Sequence, residues 1–176
     1  HMIEDILSYI EFYSDQTNLT LDPEVDSFYM MQLLSFSLPR AIEYSAQMRG
    51  EAAGAVVNGT ASNKAVRNLI GVKPIAVDKV EEALRSAVKA SDSIGGELNQ
   101  QISTLSAANK EFGALVQEVI DTGRSPLSAS EMFAKGTALV NAGYELESKT
   151  IPHLKRLLQE RINTMKSDQQ TILYEM

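Results

Sequence analysis

The stretch DPEVDSFYMMQLLSFSLPRAIEYSAQMRGEAAGAVVNG, residues 22–59, decides the fold. From Phe28, steps of three and four residues in strict alternation lead through Met31, Ser35, Leu38, Ile42, Ser45, Arg49, Ala52 and Val56. Such a heptad seam marks a helix lying against near-parallel neighbours. Asp22 offers a cap, Pro23 suits the first helical position, and Glu24 and Asp26 complement the positive end of the helix dipole. Asn58-Gly59 supplies the stop.

The same period extends in both directions. Upstream, IEDILSYIEFY (residues 3–13) has a helical pattern, so the first long helix is expected to be interrupted near Asp22-Pro23 and then to resume its course; the alternative is that residues 3–15 form a short separate helix folded back against the bundle. Downstream, Ser62 can cap a segment carrying Val66, Leu69, Ile70, Val77, Val80, Leu84, Ala87, Val88 and Ile94, with a kink near Pro74 and an end at Gly95-Gly96. The next helix steps through Leu98, Ile102, Leu105, Asn109, Phe112, Val116 and Val119 and stops at Thr122-Gly123. Ser128 or Ser130 starts the last, which passes Pro152 and continues by Leu154, Leu157, Leu158, Ile162 and Met165. Strand signals are poor, because aromatics make up only 6% of the chain and β-branched residues rarely alternate with polar ones. The expectation is an all-α, up-and-down four-helix bundle with long outer helices overhanging the inner ones.

Composition narrows the function. A formal charge of -7 argues against a nucleic-acid partner, since phosphate binding needs a clustered basic surface. No cysteine is present, which removes thiolate chemistry, disulfides and cysteine-held metals. Of the two histidines, His1 belongs with Met2 to an apparent cloning scar, leaving residues 3–176 as a single domain. His153 follows Pro152 with no acid or serine at triad spacing, and no Glu-x-x-His pair for a di-iron site occurs. An enzyme is therefore not expected, nor a cofactor or metal; methionines at helical spacing, Met30, Met31 and Met48 among them, are core filler more often than haem ligands. No run is long and apolar enough to span a membrane.

The run YIEFYSDQTNLTLDPEVDSFYMMQLLSFSLPRAIEYSAQMRG, residues 9–50, resembles the start of the helical-bundle sensor domains of bacterial methyl-accepting chemotaxis proteins and related transmembrane histidine kinases and diguanylate cyclases. In those domains a segment of the type SNLxLDPDxDSYYLM follows the helix rising from the first membrane span, with a later LP and RG. The matching positions are Asn18, Leu19, Leu21, Asp22, Pro23, Asp26, Ser27, Tyr29, Met30, Leu38, Pro39, Arg49 and Gly50; Phe28 stands where tyrosine is common. The final YELESKTIPHLKRLLQERINTM is similar to the family's closing helix. The resemblance implies a periplasmic, ligand-binding domain of an inner-membrane receptor, a homodimer in the full receptor, and hydrophobic spans immediately before Ile3 and after Met176.

Polar residues on the seam are the candidates for a ligand site, because a buried polar group requires a partner. Ser45 and Arg49 fall on the stripe of the second helical segment and Asn109 on that of the fourth, at comparable heights. Lys73 and Tyr144 fall in the same zone, beside a small-residue patch at Gly50, Ala52, Ala53, Gly54 and Ala55 that leaves room between helices. Arginine with serine, asparagine and tyrosine around a space suits a small molecule such as an organic acid, whose carboxylate a guanidinium holds bidentately. The plainer reading is that Arg49 snorkels or pairs with a nearby acid such as Glu51 or Glu145, and that Asn109 sets helix register. A structural or adaptor bundle for a protein partner is the rival of another class; it predicts an exposed apolar stripe and no polar internal pocket.

Overall fold

The computed structural model describes residues 2–17, 21, 23–59, 79–89 and 92–175, with side chains at 92–97 and 173–175 excepted. Among these residues every regular element is helical: α1 (Met2–Gln16), α2 (Val25–Gln32), a π-helical turn (Leu33–Ser37), α3 (Leu38–Asn58), α4 (residues 79–89), α5 (Asp92–Thr122) and α6 (Ala129–Glu175). No helix among them is long and apolar enough to cross a membrane.

α2, the π turn and α3 form one rod. Proline has no N–H to give the carbonyl four residues back, and its ring collides with that carbonyl. Pro39 stands four residues after Ser35, inside the π turn, where the chain widens and Leu38 N–H donates to the Leu33 carbonyl. One extra residue in a turn shifts everything beyond it around the axis. The uniform seam is displaced accordingly: Leu33 is fully buried while Ser35, its expected seam neighbour, is only half-buried. Beyond the turn the expected positions Leu38, Ile42, Ser45 and Ala52 are buried as the spacing requires.

The ends follow local chemistry. Gly59 (φ +63°) and Gly123 (φ +69°) take the left-handed conformation that closes α3 and α5. α6 opens with a reciprocal capping box: the Ser128 N–H and hydroxyl donate to Glu131 Oε2 at 2.8 and 2.7 Å, and the Glu131 N–H donates to Ser128 Oγ at 3.3 Å. The start of α2 differs from expectation. Its cap position is Glu24, with no side-chain capping bond, and Asp22 lies outside the described residues. Gly95-Gly96, expected as a turn, lie within α5.

α6 is the axis of the assembly, packed between α3 and α5. Arg49 meets Thr137, Ile42 meets Gly143 and Ser27 meets Arg161, so α6 runs antiparallel to the α2–α3 rod along its whole length. The six residues between Thr122 and Ala129 turn the chain straight back, and with Phe112 beside Gly136 and Glu111 beside Lys135 α5 lies antiparallel to α6 too. Met30, Leu33, Leu38, Met48, Leu84, Leu98, Phe112, Met132, Leu139 and Leu146 fill the shared core. Val80, Leu84 and Ala87 bring α4 into it.

The first and last helices depart from the expected pair of overhangs. α1 does not extend the rod from below; it packs on the side of the π turn, and Glu11 reaches Arg40. Arg40 stands fifteen residues beyond Val25, roughly 22 Å up the rod, too far for a helix continuing beneath α2. Leu7 and Ser14 are buried by this packing, whereas Ile3, Ile6, Tyr9, Phe12 and Tyr13 are exposed. Only α6 overhangs. Past Arg161, level with the start of α2, every residue from Ile162 to Ile172 is exposed.

Candidate functional site

The residues expected to form a distal site are placed as follows. Ser45 is buried and its hydroxyl donates to its own helix, to the Ala41 carbonyl at 2.7 Å. Arg49 lies across α6: Nη1 donates to Thr137 Oγ1 at 3.2 Å, the guanidinium carbon sits 4.5 Å over the Phe133 ring, and Nε is buried without a hydrogen-bond partner. Asn109, half-buried on α5, lies within a turn of Arg49's height by the Phe112–Gly136 register. Tyr144 is 53% exposed and seven residues further along α6 than Thr137, about 10 Å away. Lys73 lies outside the described residues.

The geometry around Arg49 leaves little room for a ligand. A Cβ on Gly136 would sit 2.7 Å from Arg49 Cβ and Cγ and 2.9 Å from Phe112 Cζ, so the space that the glycine opens is already filled by the arginine stem and the ring. Ala52 and Ala55 are core residues. What holds Arg49 is an aromatic face and a hydroxyl. This cluster is a clamp between α3 and α6.

Space exists lower in the molecule. A cleft of about 710 Å³ opens between α1, the α2–π–α3 rod and α4, lined by Glu11, Phe28, Tyr29, Gln32, Phe36, Arg40, Tyr44 and α4's Lys79, Glu82 and Ala83. An apolar recess of about 280 Å³, lined by Phe28, Met31, Gln32 and Phe36, adjoins it. The larger falls in the range of small-molecule sites, and the smaller lies just below it. Phe28, Gln32, Phe36, Arg40 and Tyr44 recur every fourth residue. In an unbroken α-helix such a row winds steadily around the axis; here the π turn lies in its middle and re-aims the residues beyond it. π-bulges are frequent at functional sites for this reason.

The polar end of the cleft is built around Arg40. Its Nε and Nη2 donate to the same Glu11 oxygen, Oε1, at 2.8 and 2.5 Å. The Glu11 hydrogen bond is the main cause holding the Arg40 pKa above its ordinary value, against the opposing effect of burial. Arg40 is thus a cation throughout the accessible pH range. Lys79 and Glu82 are exposed at the α4 side. Phe28 and Tyr29 stand edge to face with ring centres 5.4 Å apart.

Sequence reasoning missed this site because it searched the seam. Phe36 and Tyr44 are one position off the stripe and Arg40 two, and only the π turn makes them a common wall. The LP at Leu38-Pro39 was the available clue. At the foot of the rod Arg161 Nη2 donates to the buried Ser27 hydroxyl, which accounts for Ser27. Among the described residues no group of three or more potential metal-binding side chains is found. No family model matches the chain, and neither curated proteins nor solved structures yield a match.

Proposed function

We propose that residues 3–176 form the periplasmic sensor domain of a bacterial transmembrane chemoreceptor. The α2–α3 rod, α4, α5 and α6 would supply the four rods of an up-and-down bundle, with α1 laid against it. A small molecule binds in the cleft beside the π turn, and α6 transmits the resulting shift across the membrane. The supporting observation is α6 itself: a 47-residue helix that runs the height of the molecule and continues beyond its partners as an exposed rod. An overhang with no intramolecular partner is expected of an element that continues into a further structure. The exposed apolar face of α1 fits the homodimer that the resemblance implies. Coupling to a kinase or cyclase output would use the same machinery.

That exposed face, Ile3, Ile6, Tyr9, Ile10 and Tyr13, also favours a second reading, an adaptor bundle for a protein partner. The polar-ended cleft weighs against it, since an adaptor has no need of one. Grafting residues 3–176 between the two membrane spans of a chemoreceptor with a known kinase output separates the two. The sensor reading expects an output that changes with an added metabolite and is abolished by helix-breaking insertions in residues 162–172. An output unaffected by any of a broad panel of organic acids, amino acids and amines overturns it.

A further inference from the structure

We propose that the cleft takes an aromatic carboxylate, whose carboxylate replaces Glu11 on Arg40 while its ring lies among Phe28, Tyr29, Phe36 and Tyr44. The proposal rests on the sensor reading and specifies its ligand class. Three observations carry it. The chain has only eleven aromatic side chains, five Phe and six Tyr, and four of them line this one cleft. That concentration fits a flat apolar ligand better than a small aliphatic acid, since stacked and edge-to-face ring contacts add to simple burial.

The second observation is that Arg40 already holds a carboxylate in this position. Glu11 contributes one oxygen to both guanidinium donors, whereas the strongest arginine–carboxylate pairs use two oxygens on two parallel N–H groups. A ligand entering from the cleft side can adopt that arrangement. The third is the weakness of the existing pair: its side chains are 39% and 27% exposed, so solvent screens it and its loss costs little. Glu11 is therefore an internal competitor. Its displacement would detach the middle of α1, which is otherwise buried only at Leu7 and Ser14.

The test is calorimetric titration of the intact chain with benzoate and 3-phenylpropionate, with acetate and benzylammonium as controls, and far-UV circular dichroism to verify folding of each variant. The aromatic acids should bind and the controls should not. Glu11→Gln removes the competitor and should tighten binding by about two- to fivefold. Arg40→Gln should weaken it by about tenfold or more, and Arg40→Lys, which keeps the charge but loses the planar fork, should weaken it also. Hydrogen exchange in α1 should speed up when ligand is present. Weaker binding in Glu11→Gln, selection of benzylammonium over the acids, or indifference to Arg40→Gln overturns the proposal. So does the failure of both aromatic acids to bind, an outcome that leaves a metabolite response of the grafted receptor intact as the separate measure of the sensor reading.

Discussion

At the residue scale, glycines decide how closely α3 and α6 approach, and their roles diverge sharply. Gly→Ala inside a helix ordinarily stabilises by about 0.5–1 kcal/mol. At Gly50 and Gly54 an added Cβ meets nothing within 4 Å, and alanine there should raise the melting temperature. At Gly136 it meets Arg49 and Phe112, and at Gly143 it meets Ile42 Cγ1 at 2.6 Å. Overpacking of this kind costs about 1–3 kcal/mol, which exceeds the helix gain, so Gly136→Ala and Gly143→Ala should lower the midpoint of urea unfolding. The sequence showed the small residues of α3 plainly and suggested that they make a pocket. It could not show that Gly136 and Gly143, on a different helix, are where the close contact falls, because that depends on the register between two rods. Arg49 was legible as an unusual polar residue on an apolar stripe. Its partners, Phe133 and Thr137, lie 84 and more residues away and were not.

Among the elements, the start of α6 has a measurable pH signature. The Ser128 hydroxyl, then its backbone N–H, donate to the Glu131 carboxylate and hold its pKa below the ordinary 4.5. A carboxyl depressed in the folded state contributes stability above its unfolded value, and that contribution disappears as pH falls through the folded value. Thermal unfolding of the wild type should therefore lose this increment below about pH 4.5. Ser128→Ala, which removes the cap, should cost about 1 kcal/mol at neutral pH. The other end behaves differently. Truncation after Asn163 removes, among the residues whose side chains are described, only exposed ones and should leave the melting temperature nearly unchanged, while truncation before Arg161 should lower it by removing the bond to Ser27. Helix stops at Asn58-Gly59 and Thr122-Gly123 and the start at Ser128 were readable because a cap is written in adjacent residues. The level at which α1 packs on the rod was not, since Glu11 meets Arg40 across 29 positions and nothing local to either announces the other. The π turn was hidden for a related reason: heptad spacing persists through it in the letters and changes only in space.

For the whole molecule, the heights of the irregularities matter. With Ile42 opposite Gly143 and Ser27 opposite Arg161, Pro152 falls opposite the π turn of Leu33–Ser37. Both neighbouring rods thus have an altered hydrogen-bond ladder at one level, beside the cleft. Pro152→Ala should restore the ladder on α6, raising stability by about 1–3 kcal/mol in chemical denaturation and blunting the response of the grafted receptor to its ligand. Equal stability with an undiminished response would deny Pro152 any part in transmission. The tight seat of Gly136 against Arg49 and Phe112 then acquires a mechanical meaning. It is a fulcrum near one end of a long beam: Pro152 lies about 24 Å along from it and Glu175 about 58 Å. On the sensor reading, a sideways nudge delivered at the level of Pro152 would reach Glu175 magnified more than twofold.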